Sequence, residues 1–223
     1  MSSLAGMLPD QNSGTPITID LHAFRNAPLT PEPFSFVIVP GFVKASAHEA
    51  ISGDFPIIGH AGSFPLSTLN YGTAFQKFID ELQSAAMEAS VSEKFGIDLS
   101  NSPTMVTVRG MSRESDGKIH SDSRTKLITA LIYMNDAWEN PAGRIRLLRS
   151  DHDLDDIVAE VPPERGTLLM FKNAPNAWHG FESFSGPRRV VQLNWVTDEG
   201  VVQREQNRHR RSAFFKRLLG RMS

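Results

Sequence analysis

A histidine and an aspartate stand two positions apart just before an apolar segment of the chain. His120 and Asp122 precede the run "LITALIYM", which starts at Leu127. Side chains at positions i and i+2 of an extended chain point to the same side, so an imidazole and a carboxylate at this spacing can converge on one point. A cation is the obvious ligand for that point. An isolated pair can also form the polar edge of a strand, so the motif needs support from elsewhere in the chain.

A second histidine, His179, gives that support. It follows the apolar run "GTLLMF" and a loop that contains proline. Two histidines and one carboxylate on one face of a metal, with open positions opposite, suit the non-haem Fe(II) oxygenases. The chain has no cysteine, which leaves histidine and carboxylate as its only strong side-chain metal ligands. Any metal bound here would therefore have hard or borderline ligands.

Two adjacent arginines follow His179. Arg188 and Arg189 stand in "GPRR", at the start of an apolar strand candidate. A guanidinium in this position can form a bidentate pair with a carboxylate buried at the end of a sheet. The segment after His179 thus offers a binding group for an anion.

The elements that must hold these residues are mostly short strands. One helix is predicted from Thr73, which can cap its start, because apolar residues recur there at helical spacing, namely Phe75, Phe78, Ile79, Leu82 and Ala86. The strand candidates, separated by turn residues, are "FSFVIVPGFV" at 34, "TMVTVRG" at 104, "LITALIYM" at 127, "RIRLL" at 144, "GTLLMF" at 166 and "RRVVQLNWV" at 188. This order predicts a mostly β domain with flanking helices, whose core is a jelly roll (double-stranded β-helix) with N-terminal helical support.

Length and composition indicate one domain. Of the 223 residues, 18–200 are assigned to it, after a flexible leader over 1–17 rich in Ser, Gly, Pro and Asn. The net charge of −2 gives no reason to expect a nucleic acid or a membrane as partner. Residues 201–223 are predicted to form a basic C-terminal helix or tail, which can contact an acidic partner or dock its Phe and Leu side chains on the domain. Without a signal-peptide pattern or a membrane-length apolar stretch, we expect a cytoplasmic protein.

The stretch from about Met105 to Val196 resembles the Fe(II)- and 2-oxoglutarate-dependent oxygenases, particularly their prolyl-hydroxylase-like branch. The family signature of H-x-D, a distal H and a following R or K appears as His120, Asp122, His179 and Arg189. The surrounding segments "TALIYMNDAW", "GRIRLL" and "PPERGTLLMF" are also similar to family strands and turns. The resemblance implies that His120, Asp122 and His179 are the iron ligands, with Fe(II), 2-oxoglutarate and O₂ as cofactor and co-substrates.

The resemblance also implies a basic residue nine or ten positions after the distal histidine, which binds the 5-carboxylate of 2-oxoglutarate. Both Arg188 and Arg189 satisfy that spacing. Strand alternation puts Arg189 on the apolar face with Val191 and Leu193, which suits a barrel interior. We therefore predict that Arg189 binds the carboxylate and that Arg188 lies on the outer face.

Three further residues are predicted to line the co-substrate pocket. Tyr133 corresponds to a tyrosine of the prolyl-hydroxylase-like strand that hydrogen-bonds the same carboxylate, and Thr129 shares its face. Arg109 alternates inward on the preceding strand, where the family often has a tyrosine. We expect Arg109 to contact 2-oxoglutarate or an anionic substrate.

The resemblance predicts a dioxygenase that hydroxylates an unidentified substrate, either a protein side chain or a small metabolite, while 2-oxoglutarate is converted to succinate. Three alternatives stay open. A cupin-like metal enzyme of another class would have more histidines and no arginine at the start of the strand after the last ligand. A metal-free jelly-roll binding module would keep the fold alone, and a nucleic-acid demethylase would use the same iron chemistry beside a basic groove. The sequence does not fix the substrate or the oligomeric state.

Overall fold

Antiparallel β-structure dominates residues 17–204, the part of the chain that this computed structural model describes. The helices are α1 (Leu21–Asn26), α2 (Ala45–Gly53), α3 (Thr73–Leu82) and α4 (Ala85–Phe95), with a 3₁₀ turn at Leu66–Thr68. The strands are β1 (Phe36–Val39), β2 (Phe64–Pro65), β3 (Thr104–Ser112), β4 (Lys126–Tyr133), β5 (Ile145–Leu148), β6 (Ile157–Val161), β7 (Leu168–Lys172), β8 (His179–Gly180) and β9 (Gly186–Val196). Residues 199–204 are helical. Most of the predicted leader and of the basic C-terminal segment lies outside the described residues.

The strands form two antiparallel sheets. The larger sheet has the order β1-β7-β4-β9-β3-β2, and the smaller has the order β6-β5-β8. The mostly β domain with helices on its N-terminal side, predicted from the sequence, is confirmed, and the arrangement is consistent with a jelly-roll-like oxygenase fold. Among residues 17–204, no helix is both long and apolar enough to cross a membrane.

Both faces of the larger sheet are buried, but by different layers. On β4, Ile128, Ala130 and Ile132 belong to a core that the sheet shares with the helices. Tyr133, on the opposite face of β4, packs in a second core with Leu147 of the smaller sheet. The larger sheet therefore lies between a helical layer and the smaller sheet.

The helical layer differs from the sequence prediction in one place. The single helix predicted through Ala86 is two helices, because α3 ends at Leu82 and the Ser84 hydroxyl caps α4 by accepting from the Met87 backbone N–H. The predicted capping role of Thr73 is wrong. The Asp54 carboxylate, from the end of α2, accepts the Ala74 backbone N–H at 2.7 Å instead.

The register of β9 is opposite to the prediction. Its apolar residues Val191, Leu193 and Trp195 pack in the helix-side core. Val190 faces the smaller sheet, and Arg188 is buried on that same face. The predicted orientation of the strand is wrong because its apolar face was assigned to the interior between the sheets. That interior is partly polar, and the helices bury the apolar face.

The two faces predict different stabilities for matched leucine truncations. Leu193 is fully buried against the helices, whereas Leu131 is only partly buried beside the second core. Leu193→Ala should lower the free energy of unfolding by about 2–5 kcal/mol, the usual loss for a truncated core leucine. Leu131→Ala should cost clearly less in urea unfolding. Equal losses would contradict the assigned register.

Candidate active site

His120, Asp122 and His179 converge at one end of the space between the sheets. One potential ligand atom from each lies within 4.8 Å of those of the other two. The two histidines exchange backbone hydrogen bonds, with both N···O distances at 3.0 Å, so the segment before β4 runs alongside β8. Strand pairing thus brings together two residues that are 59 positions apart in the sequence.

A glycine allows this close approach. Gly117 has a φ of 96°, in the left-handed region, and its carbonyl accepts the Phe181 N–H at 2.9 Å. A Cβ at Gly117 would lie 2.2 Å from the Phe181 carbonyl oxygen. Glycine is therefore needed where the segment that leads to His120 meets β8.

Both imidazoles present the same nitrogen to the centre of the cluster. The Nδ1 of His120 lies 2.9 Å from the Lys118 carbonyl, and that of His179 lies 3.0 Å from the Ala177 carbonyl. A carbonyl only accepts, so each Nδ1 carries a proton and each Nε2 keeps its lone pair for a metal. Burial and the neighbouring His120 lower the pKa of His179 to about 4, which keeps this ring neutral at pH 7.

The carboxylate of Asp122 is ionised and held in place. Lys126 lies 2.6 Å from Oδ1, and the Thr129 hydroxyl donates to Oδ2. Burial alone would raise the pKa of Asp122, but the charge and hydrogen bond of Lys126 and the bond from Thr129 bring it below its usual range. Asn194 donates to the Thr129 hydroxyl at 2.8 Å and so fixes it in turn.

The donor set fits Fe(II). Two neutral imidazole nitrogens and one carboxylate, with backbone carbonyls and hydroxyls fixing their orientation, are the ligands that suit a non-haem iron oxygenase. His120 is solvent-exposed while His179 is buried. The cluster is therefore open on one side to solvent and to a substrate.

Thr129 is predicted to support the metal site through Asp122. Thr129→Val keeps the shape of the side chain but removes the hydroxyl that donates to Asp122 and accepts from Asn194. Loss of such an outer partner should weaken Fe(II) affinity about 10–100-fold. Thr107→Val is the matched control, because Thr107 is also buried on a strand but does not line the cavity. Anaerobic metal titration of both variants tests this, and an equal effect would contradict it.

A cavity of about 310 Å³ extends from the metal cluster towards Tyr133 and Arg188. The Arg188 side chain is buried, its Nε donates to the Gly143 carbonyl at 2.8 Å, and its guanidinium lies 4.2 Å from the Phe181 ring centroid. Within residues 17–204 it has no carboxylate at ion-pair distance. The Tyr133 hydroxyl lies beside it, is buried and makes no hydrogen bond of good geometry. This end of the cavity lacks an anionic acceptor.

The structure brings most of the predicted site residues to this cavity. His120, Asp122, His179, Thr129, Tyr133, Arg188 and Arg109 all line it. Arg189 does not: its guanidinium lies 5.4 Å from the Phe55 ring centroid, on the helix side of the sheet. The prediction that Arg189 points inward is wrong, because Arg188 shares the inward face with Val190. The binding roles of these residues stay predictions.

Sequence reasoning missed two contributors. Lys126 pairs with Asp122, and its spacing of four residues after the carboxylate was a possible signal. Phe181, two residues after His179, covers Arg188. Nothing in the local pattern of Phe181 indicates this contact, because it depends on how β8 lies against β9.

Comparisons with known proteins agree with this site. The sequence model of the 2OG-Fe(II) oxygenase superfamily matches residues 107–197, which confirms the resemblance seen in the sequence. That stretch contains the three candidate metal ligands and both arginines. No match is found among curated proteins.

Several solved structures share the fold. A prolyl-4-hydroxylase from Pseudomonas putida is 13% identical over 74% of this chain and 94% of its own, with a TM-score of 0.54. The viral collagen prolyl hydroxylase from Paramecium Bursaria Chlorella virus-1, in a 2OG complex, is 17% identical over 73% and 96%, with a TM-score of 0.51. HygX from Streptomyces hygroscopicus, with nickel and 2-oxoglutarate bound, is 13% identical over 74% and 83%, with a TM-score of 0.50. At these identities the likeness concerns the fold.

Proposed function

We propose that this chain, whose residues 107–197 match the sequence model of the 2OG-Fe(II) oxygenase superfamily, is a non-haem Fe(II) dioxygenase that hydroxylates a second substrate while converting 2-oxoglutarate to succinate. The observation that carries the proposal is the layout of one cavity. Two histidines and one carboxylate stand at one end, and at the other stands a buried arginine with no carboxylate of residues 17–204 at ion-pair distance.

The residues of the chain then have distinct tasks. His120, Asp122 and His179 would hold Fe(II), which supplies the oxidation chemistry with O₂ when it is bound. Arg188 and Tyr133 would bind the 5-carboxylate of 2-oxoglutarate, the first by charge and the second through its free hydroxyl. Lys126 and Thr129 keep Asp122 ionised and oriented.

We also propose that the two sheets form a double-stranded β-helix. Two antiparallel sheets that share one buried core, with the segments around His120 and His179 paired between them, support a double-stranded β-helix. In such a core the metal ligands come from distant parts of the sequence. The helices α1–α4 would then serve as the support layer of the larger sheet.

No alternative function is favoured. A metal-free binding module has no use for two imidazoles whose Nδ1 atoms are both tied to carbonyls and whose Nε2 atoms converge. A nucleic-acid demethylase would need a basic groove that follows a phosphate backbone, and the cations of residues 17–204 that line this site are confined to one small cavity. The similarity to prolyl hydroxylases is a similarity of fold, so it assigns no prolyl substrate to this chain.

Metal-dependent binding of the co-substrate tests the proposal. Without oxygen, the purified full chain should bind one equivalent of Fe(II), and calorimetry should detect 2-oxoglutarate binding only after the metal is loaded. His152→Ala is a suitable control, because this exposed histidine pairs with Asp151 outside the cavity. Equal 2-oxoglutarate affinity with and without Fe(II) would overturn the proposal.

A further inference from the structure

The cavity has more positive charge than the proposed chemistry uses. Four cationic side chains line it, namely Arg109, Lys118, Lys126 and Arg188, against the two carboxylates of Asp116 and Asp122. A divalent metal and a doubly charged 2-oxoglutarate add no net charge, so the cavity keeps an excess of two positive charges. Each cation must therefore be assigned a partner before the cavity is electrostatically complete.

Two of the four cations have partners. Lys126 pairs with Asp122 at 2.6 Å, and Arg188 is available to the 5-carboxylate of the co-substrate. Asp116 pairs with Arg113, which is outside the lining, at 3.3 Å from its Nε, and its charge acts on Arg109 from beyond ion-pair distance. Among residues 17–204, Arg109 and Lys118 have no carboxylate at ion-pair distance.

Of these two cations, Arg109 has the greater need of an anionic partner. It is partly buried, and its withdrawal from water lowers its pKa, whereas Lys118 is exposed at the mouth of the cavity. A guanidinium withdrawn from water without an acceptor is costly unless a bound group supplies one. Its planar N–H donors match the two oxygens of a carboxylate.

Arg109 and Tyr133 lie on strands on opposite sides of β9. Arg109 on β3 and Tyr133 on β4 are both paired with Val190. Two strand spacings put their backbones about 10 Å apart, and their side chains interact electrostatically within the cavity. Arg109 thus enters the cavity from β3, on the other side of β9 from Tyr133.

We propose that the hydroxylated substrate carries a carboxylate, which binds Arg109 in the cavity. The inference rests on the proposed function and deepens it by naming the class of substrate. The cavity volume of about 310 Å³ is at the lower end of the range for small-ligand sites, so with 2-oxoglutarate bound only a small acid or one acidic side chain fits. A neutral substrate would leave Arg109 without a partner.

Matched acid and amide probes test the proposal. The full chain is loaded with Fe(II) and saturating 2-oxoglutarate without oxygen, and calorimetry compares butanoate with butanamide, for a free acid. The blocked amino acid amides of aspartate and asparagine, and of glutamate and glutamine, represent acidic side chains. At least one acid should bind more than tenfold tighter than its amide. The probe pair that shows this difference identifies whether the carboxylate belongs to a free acid or to an acidic side chain.

Variants connect the preference to Arg109. Arg109→Gln should reduce the preference to about threefold or less, the level of an exposed ion pair. Arg149→Gln, which changes an exposed arginine paired with Asp156, should retain it. Equal binding of acids and amides, no binding of any acid, or a preference that survives in Arg109→Gln would overturn the proposal.

A separate readout distinguishes two other failures. If Arg109→Gln weakens 2-oxoglutarate binding as much as Arg188→Gln does, Arg109 belongs to the co-substrate site and the substrate inference is wrong. If the wild-type chain shows no metal-dependent 2-oxoglutarate binding, the proposed function itself fails. The two outcomes are measured on the same samples before any probe is added.

Discussion

Replacing Arg188 by glutamine should weaken 2-oxoglutarate binding at least tenfold. The 5-carboxylate would lose a charged partner in the cavity, where Arg188 is buried between Tyr133 and Phe181. Removal of one partner from a desolvated charge pair typically costs about 2–5 kcal/mol. Calorimetry with Fe(II) bound and oxygen excluded measures the effect directly.

Arg189→Gln is the matched control, because it removes the same group one residue away on the helix side of the sheet. It should change 2-oxoglutarate affinity far less. Arg188→Lys keeps the positive charge but loses the planar guanidinium. The 2-oxoglutarate affinity of this variant should therefore fall between those of Arg188→Gln and Arg189→Gln. Retained Fe(II) affinity shows that Arg188→Gln is folded. A larger loss for Arg189→Gln would contradict the orientation of β9.

Replacing His120 by alanine should abolish turnover of 2-oxoglutarate. His120 is exposed, so its removal should leave the fold intact while taking away one of three protein ligands. The loss of succinate formation should be at least about hundredfold, beyond the 10–100-fold typical of outer partners of a metal site. His179→Ala and Asp122→Ala should have the same effect, although His179 is buried and its variant also loses contact with Phe171.

His152→Ala controls for the loss of a histidine as such. Succinate is quantified by mass spectrometry after incubation with Fe(II), and circular dichroism checks that each variant is folded. Wild-type succinate formation in all three ligand variants would show that the metal assignment is wrong.

The candidate metal ligands could be picked out from the sequence because their signal is local. The i, i+2 spacing of His120 and Asp122 fixes a shared direction on an extended chain, and few residue types bind a metal in a chain without cysteine. The pairing of His120 with His179 was not predictable from spacing alone. It depends on β8 and on the close approach at Gly117.

The choice between the adjacent arginines failed for a physical reason. Alternation correctly placed Arg188 and Arg189 on opposite faces of the strand. It does not determine which of the two faces is directed towards the site. The larger sheet is buried on both faces, and the more apolar one meets the helices. The face towards the cavity carries the polar residues Arg188 and Gln192. In a sheet that is buried on both faces, the polar face of a strand is a better indicator of a cavity than its apolar face.

The early helices were the least predictable part of the fold. α1 has six residues and α2 has nine, too short to give a clear periodic pattern. The start of α3 depends on Asp54, which lies 20 positions before Ala74. Such tertiary caps leave no sign in the sequence around the helix that they stabilise.

The most direct test of the account is the simultaneous measurement of O₂ consumption and succinate formation by the purified chain. With Fe(II) and 2-oxoglutarate, the two should proceed slowly and in equimolar amounts before any substrate is added. Both should stop when Fe(II) is removed or His120 is replaced by alanine. An Fe(II)-loaded chain that binds 2-oxoglutarate but forms no succinate, or that forms it equally well in His120→Ala, would contradict the account.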